Sequence, residues 1–285
     1  MINYYLLTKP GIILGNLFTF AAGFLLASNQ GVNLLLFFET LFGLALIIAS
    51  ACVFNNYIDR PLDRKMERTK ERALARGAIS ASKALLFAAF LGVAGAGLLA
   101  LCSSLLTVCV ALSGFFIYVV LYSFWKGHTV YATAIGSIAG AIPPVVGYCA
   151  AGNRLDAGAF ILLAMLILWQ MPHFFAIAMA HLKDYAAAGL PVLPVVKGVR
   201  RTKIHMALYI VAFIASALLL TLFDYTGTLY LKMIAAFGCA WLCLCLRGFA
   251  ASDDQLWGRR MFQLSLLVIM TVCLLIPFDK VSPAL

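Results

Sequence analysis

The chain has 285 residues, of which 64% are hydrophobic and only 11% are charged, and its mean hydropathy is +1.00. Soluble domains contain about 45–50% apolar and about 25% charged residues. Composition therefore excludes a soluble globular protein, a disordered chain and a disulfide-rich scaffold. The formal net charge of +10 has to be interpreted through the positive-inside rule of membrane proteins, so we expect no nucleic-acid partner.

Nine apolar stretches predict an all-α integral membrane protein with nine transmembrane helices around a central cavity. The long connections between them are polar and fall at 55–82, 183–203 and 248–260. The chain is expected to form one domain over residues 1–285. The predicted spans are 11–27, 34–54, 83–101, 104–123, 131–150, 158–182, 204–222, 229–247 and 261–277.

The basic residues predict the orientation of these spans in the bilayer. If the N-terminus is cytoplasmic, 18 of the 21 basic residues lie inside, and only Arg154, Lys232 and Lys280 lie outside. The positive-inside rule then predicts a cytoplasmic N-terminus, an outside C-terminus and a multi-pass protein of the cell inner (plasma) membrane. The first stretch could instead be a signal peptide cleaved near Ala27, but its apolar run is longer than usual for one.

Acidic residues follow the second predicted span at intervals of four. Asn55, Asp59 and Asp63 would line one side of a helix that continues past the membrane face. An amide and two carboxylates suit Mg²⁺, whose coordination substrate phosphates and water complete. The alternative is a solvated basic helix that touches anionic lipid. Basic side chains able to hold phosphate charge follow at Arg64, Lys65, Arg68, Lys70, Arg72 and Arg76.

The second long loop places Asp184 in an equivalent position, after the sixth predicted span. Two such loops on one membrane face could close over one substrate. The alternative is that Asp184 is only a charge partner for Lys183.

Several spans contain residues that are unusual in an apolar helix. Pro172 should bend the sixth span, and Pro143 with Pro144 should break the fifth. His173 beside that bend should face the bundle interior, where it could ligate haem iron, handle a proton or simply make a structural hydrogen bond. The eight cysteines are predicted to be packing residues, with a soft-metal site at 239–245 as the alternative.

The segment that runs from Asn55 through Asp59 and Asp63 resembles the first Asp-rich motif of the UbiA-type intramembrane prenyltransferases. Within that superfamily the strings most resemble the protohaem IX farnesyltransferases, or haem O synthases. The matching blocks occur in the same order over about residues 51–198. They are 51–60, 64–69, 143–149, 168–173, 183–185 and 193–198.

The resemblance implies a nine-helix membrane prenyltransferase domain that moves the farnesyl group of farnesyl diphosphate onto a vinyl group of haem b, with water addition, to give haem O. It implies Mg²⁺ as cofactor and the lipid bilayer as surroundings, with haem A synthase or terminal oxidase subunits as further partners. By resemblance His173 holds haem. Asp59, Asp63 and Asp184 are catalytic and, with Asn55, hold the metal; diphosphate is bound by Asn55, Arg64, Lys65, Arg68, Arg72 and Lys183.

Two departures affect these expectations. The superfamily's second motif often carries two Asp four residues apart, but Ala180 and Ala188 flank Asp184 at those distances. Pro61 lies between Asp59 and Asp63, so we expect the helix to kink or restart there.

Two rival functions remain open at this stage. A related membrane prenyltransferase acting on an aromatic acceptor such as 4-hydroxybenzoate would share the diphosphate site. A polytopic transporter would also have broken helices, but its acidic residues would lie near the midplane and its halves would repeat.

Overall fold

The computed structural model of the chain describes residues 2–28 and 31–281; the predicted domain limits at 1 and 285 lie outside these residues. The described regular structure is helical apart from one isolated β-bridge between Thr226 and Lys280. The helices are α1 Ile2–Leu7, α2 Pro10–Ala27, α3 Leu34–Asp63, α4 Ala81–Cys102, α5 Leu105–Trp125, α6 Ala132–Gly152, α7 Ala157–Ala180, α8 Leu182–Ala187, α9 Leu193–Val196, α10 Val199–Leu222, α11 Thr228–Arg247 and α12 Asp254–Phe278.

Nine helices in the described part of the chain are long and apolar enough to cross a membrane, which confirms the predicted number. They are α2 to α7 and α10 to α12. Three extend at least five residues beyond the predicted limits, because their polar ends carry no hydrophobic signal: α3 runs on to Asp63, α10 begins at Val199 and α12 begins at Asp254.

Side-chain caps define where several helices begin. The Asn33 carboxamide accepts a hydrogen bond from the Leu36 amide, and Asp156 accepts one from Gly158. Asp253 accepts from the amides of Gln255 and Leu256 in the first turn of α12. These short polar side chains satisfy backbone donors that have no partner within the helix.

Proline does not interrupt the spans, so the expected breaks at Pro61 and at Pro143–Pro144 are wrong. The helix α3 continues through Pro61, and α6 is unbroken from Ala132 to Gly152. Pro61 cannot donate to the carbonyl of Tyr57. The Arg60 guanidinium donates to that carbonyl at 3.3 Å instead and lies 4.0 Å over the Tyr57 ring.

The two central helices are α6 and α7, in which 67% and 61% of the apolar window is buried. The helix α2 packs closely on α6 because both contain glycine at the contact. A Cβ added at Gly23 would lie 1.9 Å from the Pro144 carbonyl oxygen, and one at Gly147 would lie 2.2 Å from that of Phe20. Glycine at both positions therefore brings the two backbones together.

The last span packs against the first, which closes the bundle. The Lys280 ammonium donates to the carbonyls of Leu25 and Ser28 at 3.2 and 2.6 Å. These carbonyls lie at the C-terminal end of α2, where they have no partner within the helix. The opposite end of the bundle, with Lys9, Asp59, Lys126 and Asp184, is called the basic face below.

All eight cysteines are free, and several are exposed on the lipid-facing surface. Among the described residues no group of three His, Cys, Asp or Glu side chains converges to hold a metal ion. The buried Cys52, Cys149, Cys245 and Cys273 fit the predicted packing role, whereas the exposed Cys109, Cys239 and Cys243 do not.

Two cavities lie away from the predicted site. One of about 310 Å³ is lined by residues such as Phe24, Ala27 and Arg154. The other, of about 370 Å³, is an apolar groove between α10 and α11.

Candidate active site

The last three turns of α3 bury a polar stripe at the basic face. Asn55, Asp59 and Asp63 are 2%, 1% and 4% exposed and follow one another at intervals of four residues, as the sequence predicts. Buried carboxylates are costly unless they are paired or bind a cation. The partners of these three side chains therefore indicate what the stripe does.

Only one of the two carboxylate oxygens of Asp59 has a hydrogen-bond partner among the described residues. Its Oδ2 accepts a hydrogen bond from the Lys126 ammonium at 2.7 Å, while its buried Oδ1 has no hydrogen-bond partner among the described residues. Burial lowers the pKa of Lys126, but the electrostatic effect of Tyr122 and Asp59 raises it by more. The pKa of Lys126 therefore lies above its usual value. Lys126 is thus charged and neutralises Asp59.

The Asn55 amide is held by three side chains. Its Oδ1 accepts from the Lys9 ammonium at 2.6 Å and from the Tyr118 hydroxyl at 3.3 Å. Its Nδ2 donates to the Ser123 hydroxyl at 3.0 Å. Burial lowers the pKa of Lys9 to about 8, against the attraction of Asp59. Lys9 is therefore a poorly hydrated cation directly beside the stripe.

Asp63 pairs with the loop that follows α3. One Arg72 nitrogen lies 2.9 and 3.0 Å from its two carboxylate oxygens and 3.5 Å from the Asn56 carboxamide oxygen. The Thr69 hydroxyl donates to the Asp63 carbonyl. These contacts fold residues 64–80 back over the end of α3 and occupy both oxygens of Asp63.

The other predicted diphosphate-binding residues lie around this centre. The Arg64 guanidinium donates to the Ala75 carbonyl at 2.8 Å and so holds the loop. Lys65, Arg68 and Lys183 are exposed on the basic face. Of the predicted basic set, only Arg72 contacts a carboxylate of the stripe directly.

The second loop packs on the first, as the sequence suggests. Met66 forms a small apolar cluster with Ala188 and Leu190. Asp184 is half-buried on the short helix α8 nearby. Burial, helped by the neighbouring Arg68, lowers the pKa of His181, while Asp184 opposes this. Charged groups of both loops therefore surround the same end of the bundle.

His173 lies apart from this cluster, deep in α7. Its Nδ1 is 2.7 Å from the Ser265 hydroxyl on α12, and its ring stacks on Trp169 at a centroid distance of 4.7 Å. The ring of Phe262 lies 4.9 Å away on a tilted plane. One ring nitrogen is thus occupied, and no described side chain hydrogen-bonds to Nε2.

The residues at Asp59 fit a divalent cation. A buried carboxylate oxygen without a partner is an oxygen ligand ready for one, and Mg²⁺ needs only one or two carboxylates when substrate phosphates complete its shell. Three cations, Lys9, Arg72 and Lys126, face two carboxylates, so the site has an excess of positive charge. Such a site suits a highly charged anion such as a diphosphate.

Several residues of this site are absent from the sequence prediction. Lys9 and Lys126 enter it only as charges in the orientation argument, and Tyr118, Tyr122 and Ser123 do not enter at all. A usable signal is the spacing of Tyr118, Tyr122 and Lys126 by four residues at the end of a predicted span. For Lys9, the sequence offers no signal of a role in this site other than its position directly before Pro10.

Solved structures share this architecture. A structure described for digeranylgeranylglyceryl phosphate synthase has a TM-score of 0.80 at 18% identity and covers 97% of each chain. A UbiA homologue from Archaeoglobus fulgidus bound to GPP and Mg²⁺ has a TM-score of 0.71 at 17% identity and covers 97% of this chain and 99% of that one. At these identities the likeness concerns the fold.

Curated relatives match along nearly the whole chain. The protoheme IX farnesyltransferase of Protochlamydia amoebophila (strain UWE25) is 55% identical over 283 residues, covering 99% of this chain and 100% of the relative. That of Edwardsiella ictaluri (strain 93-146) is 50% identical over 288 residues, covering 99% and 97%. The sequence model of the UbiA prenyltransferase family matches residues 16–267. The chain therefore belongs to the UbiA prenyltransferase family.

Proposed function

We propose that this prenyltransferase moves the farnesyl group of farnesyl diphosphate onto a vinyl group of haem b, and that water addition completes haem O. The main support for the diphosphate site is the buried Oδ1 of Asp59. This oxygen has no hydrogen-bond partner among the described residues and lies in a group of three cations. The haem half is supported by relatives of 50–55% identity that are named protoheme IX farnesyltransferases.

The residues that would hold Mg²⁺ are Asp59 through Oδ1 and Asn55 through its carboxamide oxygen, with Asp63 and Asp184 completing the set. The A. fulgidus homologue bound to GPP and Mg²⁺ supports a metal at such a site. When bound, Mg²⁺ neutralises diphosphate charge and makes it a better leaving group. Asp63 would join only after it exchanges its Arg72 contact for the cation.

The cations that now pair with the stripe would then turn to the substrate. Lys126, Lys9 and Arg72 each contact a side chain of the stripe, so their N–H groups would be close to a diphosphate held there. Charge developing on the leaving group is thereby stabilised by donors that are already in place. The exposed Arg64, Lys65, Arg68 and Lys183 would attract the anion from solution.

The aromatic side chains would protect the developing allylic cation. Tyr118 and Tyr122 stack with their rings 5.4 Å apart, next to the stripe. Aromatic faces stabilise cations without supplying a nucleophile. A haem vinyl group would then attack the first carbon of the farnesyl chain, the carbon–oxygen bond to diphosphate would break, and water would add to the resulting cation.

His173 would hold the haem iron through Nε2. Because Nδ1 is engaged by Ser265, Nε2 is the nitrogen left for an axial ligand, and Trp169 fixes the ring plane. The His173→Ala variant should therefore weaken haem binding, followed by its absorption spectrum, while leaving the affinity for farnesyl diphosphate near that of wild type. Equal haem affinity in the two proteins would remove His173 from the site.

The basic face is proposed to be cytoplasmic, in a cell inner membrane with the N-terminus inside and the C-terminus outside. The positive-inside distribution of Lys and Arg supports this orientation. Product haem would pass to haem A synthase or to subunits of a terminal oxidase. Attaching a reporter to either terminus and measuring its accessibility from the outside would test the orientation.

The function is tested by mass spectrometry of haems extracted after incubating the purified protein with haem b, farnesyl diphosphate and Mg²⁺. A hydroxyethylfarnesyl haem that disappears when EDTA is added is the expected product. If farnesyl diphosphate and Mg²⁺ raise the melting temperature but no haem product forms, the acceptor assignment is wrong. If they produce no such rise either, the diphosphate site is wrong as well.

The Asp59→Asn variant tests the metal assignment in the same assay. We expect product to be lost while the helical content is unchanged, because the amide cannot supply the negative oxygen ligand. Glu71→Gln is the matched control, since Glu71 is an exposed acid of the loop that follows α3. Full activity of Asp59→Asn would refute the metal assignment.

A further inference from the structure

The helix α5 changes its winding where it meets the stripe. Residues Ile117–Tyr122 form a π-helical segment, and the Ser123 amide donates to the Tyr118 carbonyl five residues earlier. In an α-helix, residues five apart point roughly 140° away from each other. The wider π turn brings them nearly into line. Ser123 therefore joins Tyr118 on the side of α5 that faces Asn55.

The Ser123 hydroxyl makes two hydrogen bonds with fixed direction. It donates to the Tyr118 carbonyl at 3.0 Å, which commits its only proton. It can then only accept from Asn55, whose Nδ2 donates to it at 3.0 Å. The opposite end of the amide faces the Lys9 ammonium, which can only donate. The directions of these hydrogen bonds, from Lys9 to Oδ1 and from Nδ2 through Ser123 to the Tyr118 carbonyl, together determine the orientation of the Asn55 amide.

We propose that Ser123, placed by the π turn, is a positioning residue that keeps Oδ1 of Asn55 turned toward the cation site beside Asp59. The inference rests on the proposed function, in which Asn55 is a metal ligand. Asn55 and Asp59 are one helical turn apart, so their oxygens lie on the same side. Only the carboxamide oxygen can bind a cation, because the amide nitrogen has no free lone pair. If the Asn55 amide rotated by half a turn, its nitrogen would replace the oxygen at the cation site and the metal would lose this ligand.

The inference predicts a weaker metal site when the hydroxyl is removed. Without an acceptor at position 123, Nδ2 of Asn55 loses its buried partner, and the amide is held at its oxygen end alone, by Lys9 and Tyr118. Partners behind a metal ligand typically contribute about 10- to 100-fold to metal affinity. We expect Ser123→Ala to raise the Mg²⁺ concentration for half-maximal effect by about 10-fold or more.

The experiment is a thermal-stability titration with Mg²⁺ at saturating farnesyl diphosphate, on the full-length protein in detergent. Ser123→Thr keeps the hydroxyl and should titrate like wild type. Ser113→Ala is the matched control, because the exposed Ser113 hydroxyl bonds only to the Val110 carbonyl of its own helix. If Ser123→Ala fails to fold, Ser123→Cys replaces it and should give an intermediate shift, since a thiol is a weaker partner.

A double-mutant cycle identifies the route of the effect. If Ser123 acts through Asn55, Ser123→Ala should cause no further shift in the Asn55→Ala background. Wild-type titration in Ser123→Ala, or an equal shift in both backgrounds, would overturn the inference while leaving the proposed function intact. If farnesyl diphosphate and Mg²⁺ do not stabilise wild type, the proposed function fails, and this inference fails with it.

Discussion

The ion pair between Lys126 and Asp59 provides a quantitative test of the site. The ammonium lies 2.7 Å from Oδ2, and the side chains are 24% and 2% exposed. Replacing Lys126 with methionine keeps much of the volume but leaves the carboxylate buried and unpaired, since its other oxygen has no partner among the described residues. The perturbation therefore removes one charge and leaves the other without compensation.

The size of the effect follows from burial. Removing one partner of a buried ion pair costs about 3–5 kcal/mol. Because a quarter of the Lys126 side chain is in contact with solvent, screening favours the lower end, about 3 kcal/mol. At about 2–4 °C per kcal/mol, we expect the melting temperature of Lys126→Met to fall by about 6–12 °C. Adding Asp59→Asn removes the unpaired charge and should restore most of this loss.

The assay is thermal unfolding of the purified variants in one detergent, without Mg²⁺ or diphosphate. Lys65→Met, which removes an exposed lysine from the same face, is the control and should melt within about 1 °C of wild type. The reasoning is refuted if Lys126→Met melts like this control. It is also refuted if Asp59→Asn lowers the melting temperature of Lys126→Met further.

Two further predictions concern the bundle. Gly23→Ala should destabilise by about 1–3 kcal/mol, because its Cβ would lie 1.9 Å from the Pro144 carbonyl oxygen. Gly15→Ala, with open space around it in the same helix, should be neutral or stabilising, and equal melting temperatures would contradict the packing argument. Lys280→Met should cost about 1–2 kcal/mol, since the ammonium donates to two terminal carbonyls of α2. An equal effect of exposed Lys232→Met, measured by the same unfolding, would show that this capping contributes nothing.

The sequence predicts features that depend on local composition and periodicity. The number of spans follows from apolar runs long enough to cross a bilayer, because the cost of exposing polar backbone to lipid permits little else. The stripe of Asn55, Asp59 and Asp63 follows from the helical repeat alone. The strings that resemble the UbiA-type prenyltransferases can likewise be recognised from the sequence alone. The family and the polar stripe of α3 were therefore accessible without coordinates.

Some local features escape such rules because a nearby side chain changes the outcome. Pro61 is expected to make α3 kink or restart, but the helix continues to Asp63, and the Arg60 guanidinium takes the place of the missing amide donor. Pro143 and Pro144 are accommodated in a continuous α6, against which α2 packs through Gly23. Proline rules describe an isolated helix, whereas these helices are supported by neighbouring side chains and helices.

Only the tertiary structure decided which distant side chains contact the stripe and His173. Lys9 lies 46 residues from Asn55, Lys126 lies 67 residues from Asp59, and Ser265 lies 92 residues from His173. Hydropathy gives each span but not its neighbours or its rotation about its own axis. Those are set by close packing between helices, and the single-residue rotation of the π turn in α5 is enough to change which side chain faces Asn55. The sequence thus determined the polar stripe on one helix, and packing determined the side chains that contact it.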